Sequence, residues 1–312
     1  MPAHLDVLVV GGANYDYLIK ARALPAPGET VVGDALREAP GGKGANQAIA
    51  AARLGARTAF VGRVGDDERG RRSLADLAEE HVAIDHCIVD HEAPTGVALI
   101  AVDGRGEKMI VTAPGANLRL DAADLERAAA LFATTKVVLL QLEPGLATTV
   151  AAAQRAHDAG ALVVLDAAPP VADATALLAR CDVVRANASE ARVLTGIDVR
   201  DLDSAREAAL ALRRPGNGAA CVATDHGDLM VFGDGSEAWF PRQHVPVVDA
   251  TGAGDAFAAA LAVGLAEGRS LTEAGWLACA AAALTTTRVG AQASLPRRAE
   301  VDRFAAEIAR PM

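Results

Sequence analysis

The segment Asp249-Ala250-Thr251-Gly252-Ala253-Gly254-Asp255-Ala256-Phe257 follows the apolar run Val245-Pro246-Val247-Val248 and leads into a long alanine-rich stretch of helical character. Its glycines let a ligand approach the backbone closely, and the start of the helix offers unpaired N–H groups at its positive end. Such a terminus binds anions, most often phosphate. Asp255, in the same first turn, would repel a phosphate. Its presence makes chemical sense if it takes a proton from a hydroxyl that attacks the phosphorus. The plainer alternative is an N-cap, since aspartate at a helix start stabilises it by about 1 kcal/mol. This segment alone does not separate the two.

A second glycine-rich segment, Gly41-Gly42-Lys43-Gly44-Ala45-Asn46-Gln47-Ala48, opens a helix expected to run through Leu54. Its lysine is followed by Gly44 rather than Ser or Thr, and Arg37 stands where a P-loop would have its first glycine, so it is not a Walker A motif. Val7-Leu8-Val9-Val10-Gly11-Gly12-Ala13-Asn14 likewise lacks the G-x-G-x-x-G of a dinucleotide site. A nicotinamide or flavin enzyme is not supported.

The elements that must position these segments are legible as short valine-rich runs: Val7 to Val10, Val137 to Leu140, Leu162 to Leu165, Val183-Val184 and Ala220 to Val222. They are continuous rather than alternating, as in strands covered on both faces. Helical segments lie between them, such as Leu146 to Ala159 and Ala172 to Ala179, which predicts βαβ units and a parallel sheet. Polar residues follow the strands: Gly11 to Asn14, Glu143, Asp166, Asn187 and Thr224-Asp225. Ligands of open parallel sheets bind outside the carboxyl ends of the strands, so one rim is expected to hold the site. Two stretches break the rhythm, residues 15 to 40 and 94 to 114. In the second, Thr95 to Val102 faces Lys108 to Thr112 across Asp103-Gly104-Arg105-Gly106, a hairpin pattern. Together they are expected to form a small sheet standing over the rim as a lid.

Composition excludes other classes. The 312 residues are 51% hydrophobic and 22% charged, which is enough for a large core. Net charge is −10, and no basic run exceeds Arg69-Gly70-Arg71-Arg72, which argues against nucleic acid or an anionic membrane as partner. Cys87, Cys181, Cys221 and Cys279 have no metal-ligand spacing and read as buried free thiols. The start, Met1-Pro2-Ala3-His4-Leu5-Asp6, does not read as an export signal, and no stretch reads as a membrane span, so a cytoplasmic protein is expected. Trp239 and Trp276 read as packing, and His226 is given no role.

Taken together the motifs resemble the ribokinase-like (PfkB) carbohydrate kinase family, over about Val7 to Phe304. The resemblance is carried by Gly11-Gly12-Ala13-Asn14-Tyr15-Asp16, Pro27-Gly28-Glu29-Thr30, the Gly41 to Ala48 segment and Thr95-Gly96-Val97-Ala98-Leu99-Ile100. Pro114-Gly115-Ala116-Asn117, Gln141-Leu142-Glu143, Asn187-Ala188-Ser189-Glu190 and the Asp249 to Phe257 segment follow in order. It implies a single domain over 1–312: a three-layer α/β/α sandwich with a mostly parallel central sheet and a small β-sheet lid. It implies an ATP-dependent kinase with Asp255 as base and the amides of Gly252, Ala253 and Gly254 as an anion hole.

The same resemblance implies a sugar, D-ribose, held by Asn14, Asp16, Gly42, Lys43, Asn46 and Glu143 and phosphorylated at O5. It implies nucleotide contacts at Asn187, Thr224, Asp225, Gly227, Gly254 and Cys279. Mg²⁺ is implied at Asn187 and Glu190 through water, and an activating K⁺ near Asp249, Thr251, Thr285, Arg288, Gly290 and Ser294. A homodimer through the lid is implied as well. The sequence departs from the family pattern at Ala223-Thr224-Asp225-His226-Gly227-Asp228, which keeps one glycine of the usual T-x-G-x-x-G, and at Asp166, where relatives often carry asparagine. Alternatives are a kinase of another sugar or of a nucleoside such as adenosine or pseudouridine, and a non-catalytic sugar-binding relative.

Overall fold

In the computed structural model, residues 4–105, 107–213 and 218–308 are described, so Met1 to Ala3 and Gly106, which the sequence pattern assigns to the expected hairpin connection, lie outside the described residues. The strands, in chain order, are β1 (Leu5–Val10), β2 (Asn14–Ala21), β3 (Gly33–Gly41), β4 (Thr58–Val61), β5 (Arg63–Gly65), β6 (Ile88–Asp90) and β7 (Gly96–Val102). They continue with β8 (Lys108–Ala113), β9 (Thr135–Leu140), β10 (Leu162–Asp166), β11 (Val183–Asn187), β12 (Ala219–Thr224), β13 (Gly227–Phe232) and β14 (Glu237–Pro241).

The valine-rich runs are strands because both of their faces are buried. On β1, Val7 and Val9 pack with Phe257 and Leu261, whereas Leu8 and Val10 pack on the opposite side with Leu125 and Phe132. On β9, Val137 and Leu139 join the first core, and Val138 and Leu140 join the second. Burying each such side chain contributes about 1.5–3 kcal/mol, which is what holds helices on both faces of the sheet. Among the described residues this sheet has eight strands in the order β14-β13-β12-β11-β10-β9-β1-β4. From β12 to β4 neighbours are parallel, and β13 and β14 extend the edge antiparallel.

The expected helix over Leu146 to Ala159 forms as Leu146–Asp158. The one expected over Ala172 to Ala179 is only Thr175–Leu178, because Asp173 just before it takes the left-handed conformation with φ 57° and breaks the helical path. Strands β4, β13 and β14 lie outside the valine-rich runs. Trp276 packs edge-to-face on Phe240, with ring centroids 5.1 Å apart. Cys181, Cys221 and Cys279 are buried and all four cysteines are free thiols. Among the described residues no helix is long and apolar enough to cross a membrane.

The two irregular stretches do build a separate sheet, in the order β3-β2-β7-β8. Strands β7 and β8 form the expected hairpin, with Val102 opposite Lys108. Because β1, β9, β10, β11 and β12 run parallel, the polar residues that follow them emerge on one rim. The small sheet is anchored there, since β2 starts at Asn14, four residues after β1 ends.

Candidate active site

The helix Ala253–Ala266 starts at Gly252, whose φ of 84° suits glycine, and no side chain caps it. Asp255 is the third residue of its first turn and is 6% exposed. Its carboxylate does not return to its own helix. It accepts from Asn46 Nδ2 at 2.9 Å and from Gln47 Nε2 at 3.1 Å, both on the helix Lys43–Arg53. The capping alternative is thereby removed: the buried carboxylate is held by a neighbouring helix and faces the rim. The first amide of the helix with a partner four residues back is Ala256, donating to Gly252 O at 2.9 Å. Of the three preceding amides, that of Ala253 makes a long contact of 3.3 Å to Ala250 O.

The helix Lys43–Arg53 begins after Gly42, where φ is 89° and a Cβ would stand 2.6 Å from the Asn14 backbone nitrogen. That close approach brings the Gly41 to Ala48 segment against the turn Gly11 to Asn14. Lys43 N–H donates to Glu143 Oε2 at 2.8 Å, and Asn14 Nδ2 donates to Glu143 Oε1 at 3.0 Å. Asn117 Nδ2 donates to Asn14 Oδ1 at 2.7 Å and fixes that amide. Lys43 Nζ lies 3.2 Å from Asp166 Oδ2 and 3.8 Å from Asp255 Oδ1. Asp16 sits against Gly41, where a Cβ would meet its carboxylate. All six residues expected at a sugar site therefore lie together with Asp255.

Burial governs the charges here. It pushes the Glu143 carboxyl up to about 7, against the Lys43 ammonium and with help from Asp255. It raises Asp16 to about 6, with Asp255 adding to the shift. Burial also raises Asp255, opposed by Lys43 and reinforced by Asp166. Asp166 goes the other way. Burial would raise it, but the Lys43 and Arg185 cations outweigh that and hold it below the usual carboxylate range. A proton acceptor with a raised pKa beside a fixed ammonium suits removal of a proton from a bound hydroxyl.

Thr224, Gly227, Gly254 and Cys279 line one cavity of about 190 Å³, with Asp228 and Arg185. Asp225 does not line it, and its side chain is exposed. A second cavity, of about 400 Å³, is lined by Lys43, Asn187, Glu190, Gly252, Gly254 and Asp255 and is roofed by Ile100, Lys108 and Ile110 of the small sheet. Asn187 and Glu190 form a capping box for the helix Ala188–Thr195: Asn187 N–H donates to Glu190 Oε2 at 2.7 Å and Glu190 N–H donates to Asn187 Oδ1 at 2.9 Å. That capping leaves Glu190 Oε1 for the cavity, where a hydrated Mg²⁺ would fit an oxygen donor.

Of the residues implied for K⁺, Asp249, Thr251 and Gly290 are joined directly. Asp249 Oδ1 accepts from Thr251 N at 3.0 Å and Oγ1 at 2.7 Å, and Asp249 Oδ2 accepts from Gly290 N at 3.0 Å. Thr285 and Ser294 are fully buried, with hydroxyls donating to Ala281 O and Ala291 O. The Arg288 side chain turns away to Glu300, so only its carbonyl remains for a cation. Oxygen donors alone suit an alkali cation.

Gln47, Asn117, Asp228, Lys108 and Arg185 join the site although no role for them is expected from the sequence. Gln47 and Asn117 stand inside motifs already quoted, so their place in line was a usable signal. Lys108, which donates to Asp249 Oδ1 at 3.2 Å from β8, and Arg185, inside β11, carried none.

Residues 4–298 match the model of the pfkB family of carbohydrate kinases. The chain is similar to the ribokinase of Haemophilus influenzae, with 36% identity over 296 residues, 95% of this chain and 97% of that one. It is 34% identical to the ribokinase of Mus musculus over 300 residues, covering 95% and 93% of the two chains. Among solved structures it is similar to the Arabidopsis thaliana ribokinase complexed with ribose and ATP, at 30% identity and a TM-score of 0.88, covering 97% of this chain and 99% of that one.

Proposed function

The chain belongs to the pfkB family of carbohydrate kinases, and from that premise we propose that it transfers the γ-phosphoryl group of ATP to O5 of D-ribose, giving D-ribose 5-phosphate and ADP. The observation that carries this reading is the meeting of the buried Asp255 carboxylate with an uncapped glycine-rich helix start beside Asn14, Asp16, Lys43, Asn46 and Glu143. Carboxylates and amides in fixed positions suit a polyhydroxy ring, because each accepts from or donates to neighbouring hydroxyls. The ribose and ATP of the Arabidopsis complex support the choice of both substrates.

In this mechanism Asp255 takes the proton of the O5 hydroxyl as that oxygen forms its bond to the γ-phosphorus and the bond to the β–γ bridging oxygen breaks. The N–H groups of Gly252, Ala253 and Gly254 meet the charge on the transferring phosphoryl oxygens. Glu190 and Asn187 would hold the Mg²⁺ that accompanies ATP, and that ion would supply positive charge to partly neutralise the phosphates. Thr224, Gly227, Gly254 and Cys279 line the nucleotide cavity; Asp225, being exposed, reaches the nucleotide only from its outer edge. Asp249, Thr251 and Gly290, with carbonyls of Thr285, Arg288 and Ser294, would hold K⁺, whose charge would support the anion hole beside it.

The small sheet serves as a lid that excludes water once both substrates are bound. Its edges β3 and β8 are unpaired among the described residues, and Leu99, Ile110 and Val111 are more than half exposed, which supports a homodimer through the lid. The free thiols fit a cytoplasmic location.

The test is ADP release from MgATP, with and without K⁺, across D-ribose, 2-deoxyribose, fructose, adenosine and pseudouridine. A dominant D-ribose rate is expected. A dominant nucleoside rate would reject the sugar assignment, and no turnover with any acceptor would favour a non-catalytic sugar-binding protein. Sedimentation at micromolar concentration checks the dimer, which a purely monomeric boundary would overturn.

A further inference from the structure

The two cavities of the site share three lining residues, Arg185, Ala250 and Gly254, and Arg185 has the only charged side chain of the three. A phosphoryl group moving from the nucleotide to a hydroxyl has to cross that shared wall. We propose that Arg185 binds an oxygen of the nucleotide's terminal phosphates and that Asp166 positions it there. The proposal rests on the kinase reading above and adds a phosphate ligand that neither the glycine-rich motifs nor the capping box at Asn187 supplies.

Arg185 is 9% exposed and projects from β11, next to the first turn of the helix Ala253–Ala266. A Cβ on Gly254 would stand 2.8 Å from Arg185 Nη1, so the guanidinium abuts the amide cradle that only a glycine there leaves open. Its carbon lies 5.7 Å from the centre of the Phe257 ring, which fixes the plane from one side. Nη1 donates to Asp166 Oδ1 at 3.1 Å, whereas Nε is buried without a partner among the described residues. A guanidinium has five N–H donors in a planar fork that matches phosphate oxygens, and most of this one is uncommitted.

The other cations of the second cavity are engaged elsewhere. Lys43 is bound to Asp166 and close to Asp255, and Lys108 donates to Asp249 and Thr251. Two carboxylates, Asp255 and Glu190, line the same cavity in the path of the phosphates. A cation at the shared wall offsets that repulsion where the triphosphate passes.

Asp166 explains how the guanidinium is held. It is fully buried, at the carboxyl end of β10, and the sheet register sets it directly beside Arg185. Its Oδ1 accepts from Arg185, and its Oδ2 accepts from Lys43 Nζ at 3.2 Å and Gln47 Nε2 at 3.0 Å. One carboxylate thus orients a cation on the nucleotide side and a cation on the acceptor side. The neutral asparagine expected from the family pattern could not pair with both.

The test is calorimetric titration of AMP, ADP and the non-hydrolysable analogue AMP-PNP, with Mg²⁺, into the wild-type chain, Arg185→Met, Arg185→Lys and Asp166→Asn, with D-ribose binding measured on each. Arg185→Met is expected to lose about 10- to 100-fold in affinity for AMP-PNP and ADP, as for loss of a charged hydrogen bond, and to bind AMP and D-ribose as the wild type does. Arg185→Lys should lose about 3- to 10-fold, because it keeps the charge and the pairing with Asp166 but not the fork. Asp166→Asn should weaken AMP-PNP in the wild type and have no further effect when combined with Arg185→Met.

Equal losses for AMP, ADP and AMP-PNP would overturn the proposal in favour of a packing role, as would unchanged affinities. If Arg185→Met fails to fold, the same comparison with Arg185→Lys decides. A wild-type chain that binds none of the nucleotides would overturn the kinase reading with it, whereas tight wild-type AMP-PNP binding that Arg185→Met leaves intact would overturn this inference alone.

Discussion

Replacing Asp255 by asparagine removes the proposed proton acceptor and keeps its size. Asp255 now accepts from Asn46 Nδ2 and Gln47 Nε2, so an amide at this position would set one NH₂ group against another. Gln47 cannot turn to relieve this cheaply, because its Oε1 already accepts from Gln141 Nε2. Asn46 can, because its Oδ1 is buried with no partner among the described residues, and rotating its amide presents that oxygen to the new NH₂. The change also stops burying a charge, which costs more than burying a neutral amide that is hydrogen-bonded. Stability should therefore move by no more than about 1 kcal/mol. Turnover should not be spared: loss of a general base lowers the rate by about 10²- to 10⁴-fold, or roughly 3–5 kcal/mol of barrier. The assay is steady-state ADP release at saturating MgATP and D-ribose, beside calorimetric D-ribose binding and a urea melt. D-ribose affinity should stay within about 10-fold of wild type, since the remaining polar groups of the pocket persist. A rate within 10-fold of wild type would refute the role given to Asp255, and a rate loss matched by an equal loss of sugar affinity would make it a binding group only.

Gly42→Ala puts a side chain at φ 89° and a methyl group 2.6 Å from the Asn14 backbone nitrogen, so it should cost about 2–4 kcal/mol and weaken sugar binding as Asn14 moves off Glu143. An unchanged melting temperature would show that the Gly41 to Ala48 segment does not press against the turn Gly11 to Asn14. Glu143 supplies a pH test. Its pKa rises on folding from 4.5 to about 7, so between those values the native state holds a proton that the unfolded chain has lost, and stability from this group falls as pH rises through the window. The loss is absent below about 4.5, complete above about 7 and on the order of 3 kcal/mol. Relative to wild type, Glu143→Gln should gain stability between pH 5 and pH 8 in urea denaturation; a difference that does not change with pH would contradict the burial assigned to this carboxyl.

The sequence by itself determined the parallel sheet, since uninterrupted valine runs are stable only where both faces are covered, and it determined the rim, since parallel strands release their following residues on one side. It also marked Gly42 and Gly252, whose conformations are local properties of the chain. It could not decide whether Asp255 capped its own helix or served the pocket, because both use the same residue at the same spacing. That answer came from a helix 208 residues earlier, whose Gln47 bonds Asp255. The same holds for the contacts of Asp166: Gln47 meets it across 119 residues and Arg185 across 19, the latter through the register of β10 on β11. Periodicity encodes which face of an element is buried, but pairings between elements depend on strand register and helix docking. Those are fixed only when the whole core packs, which is why Arg185 gave no sign of itself in the sequence.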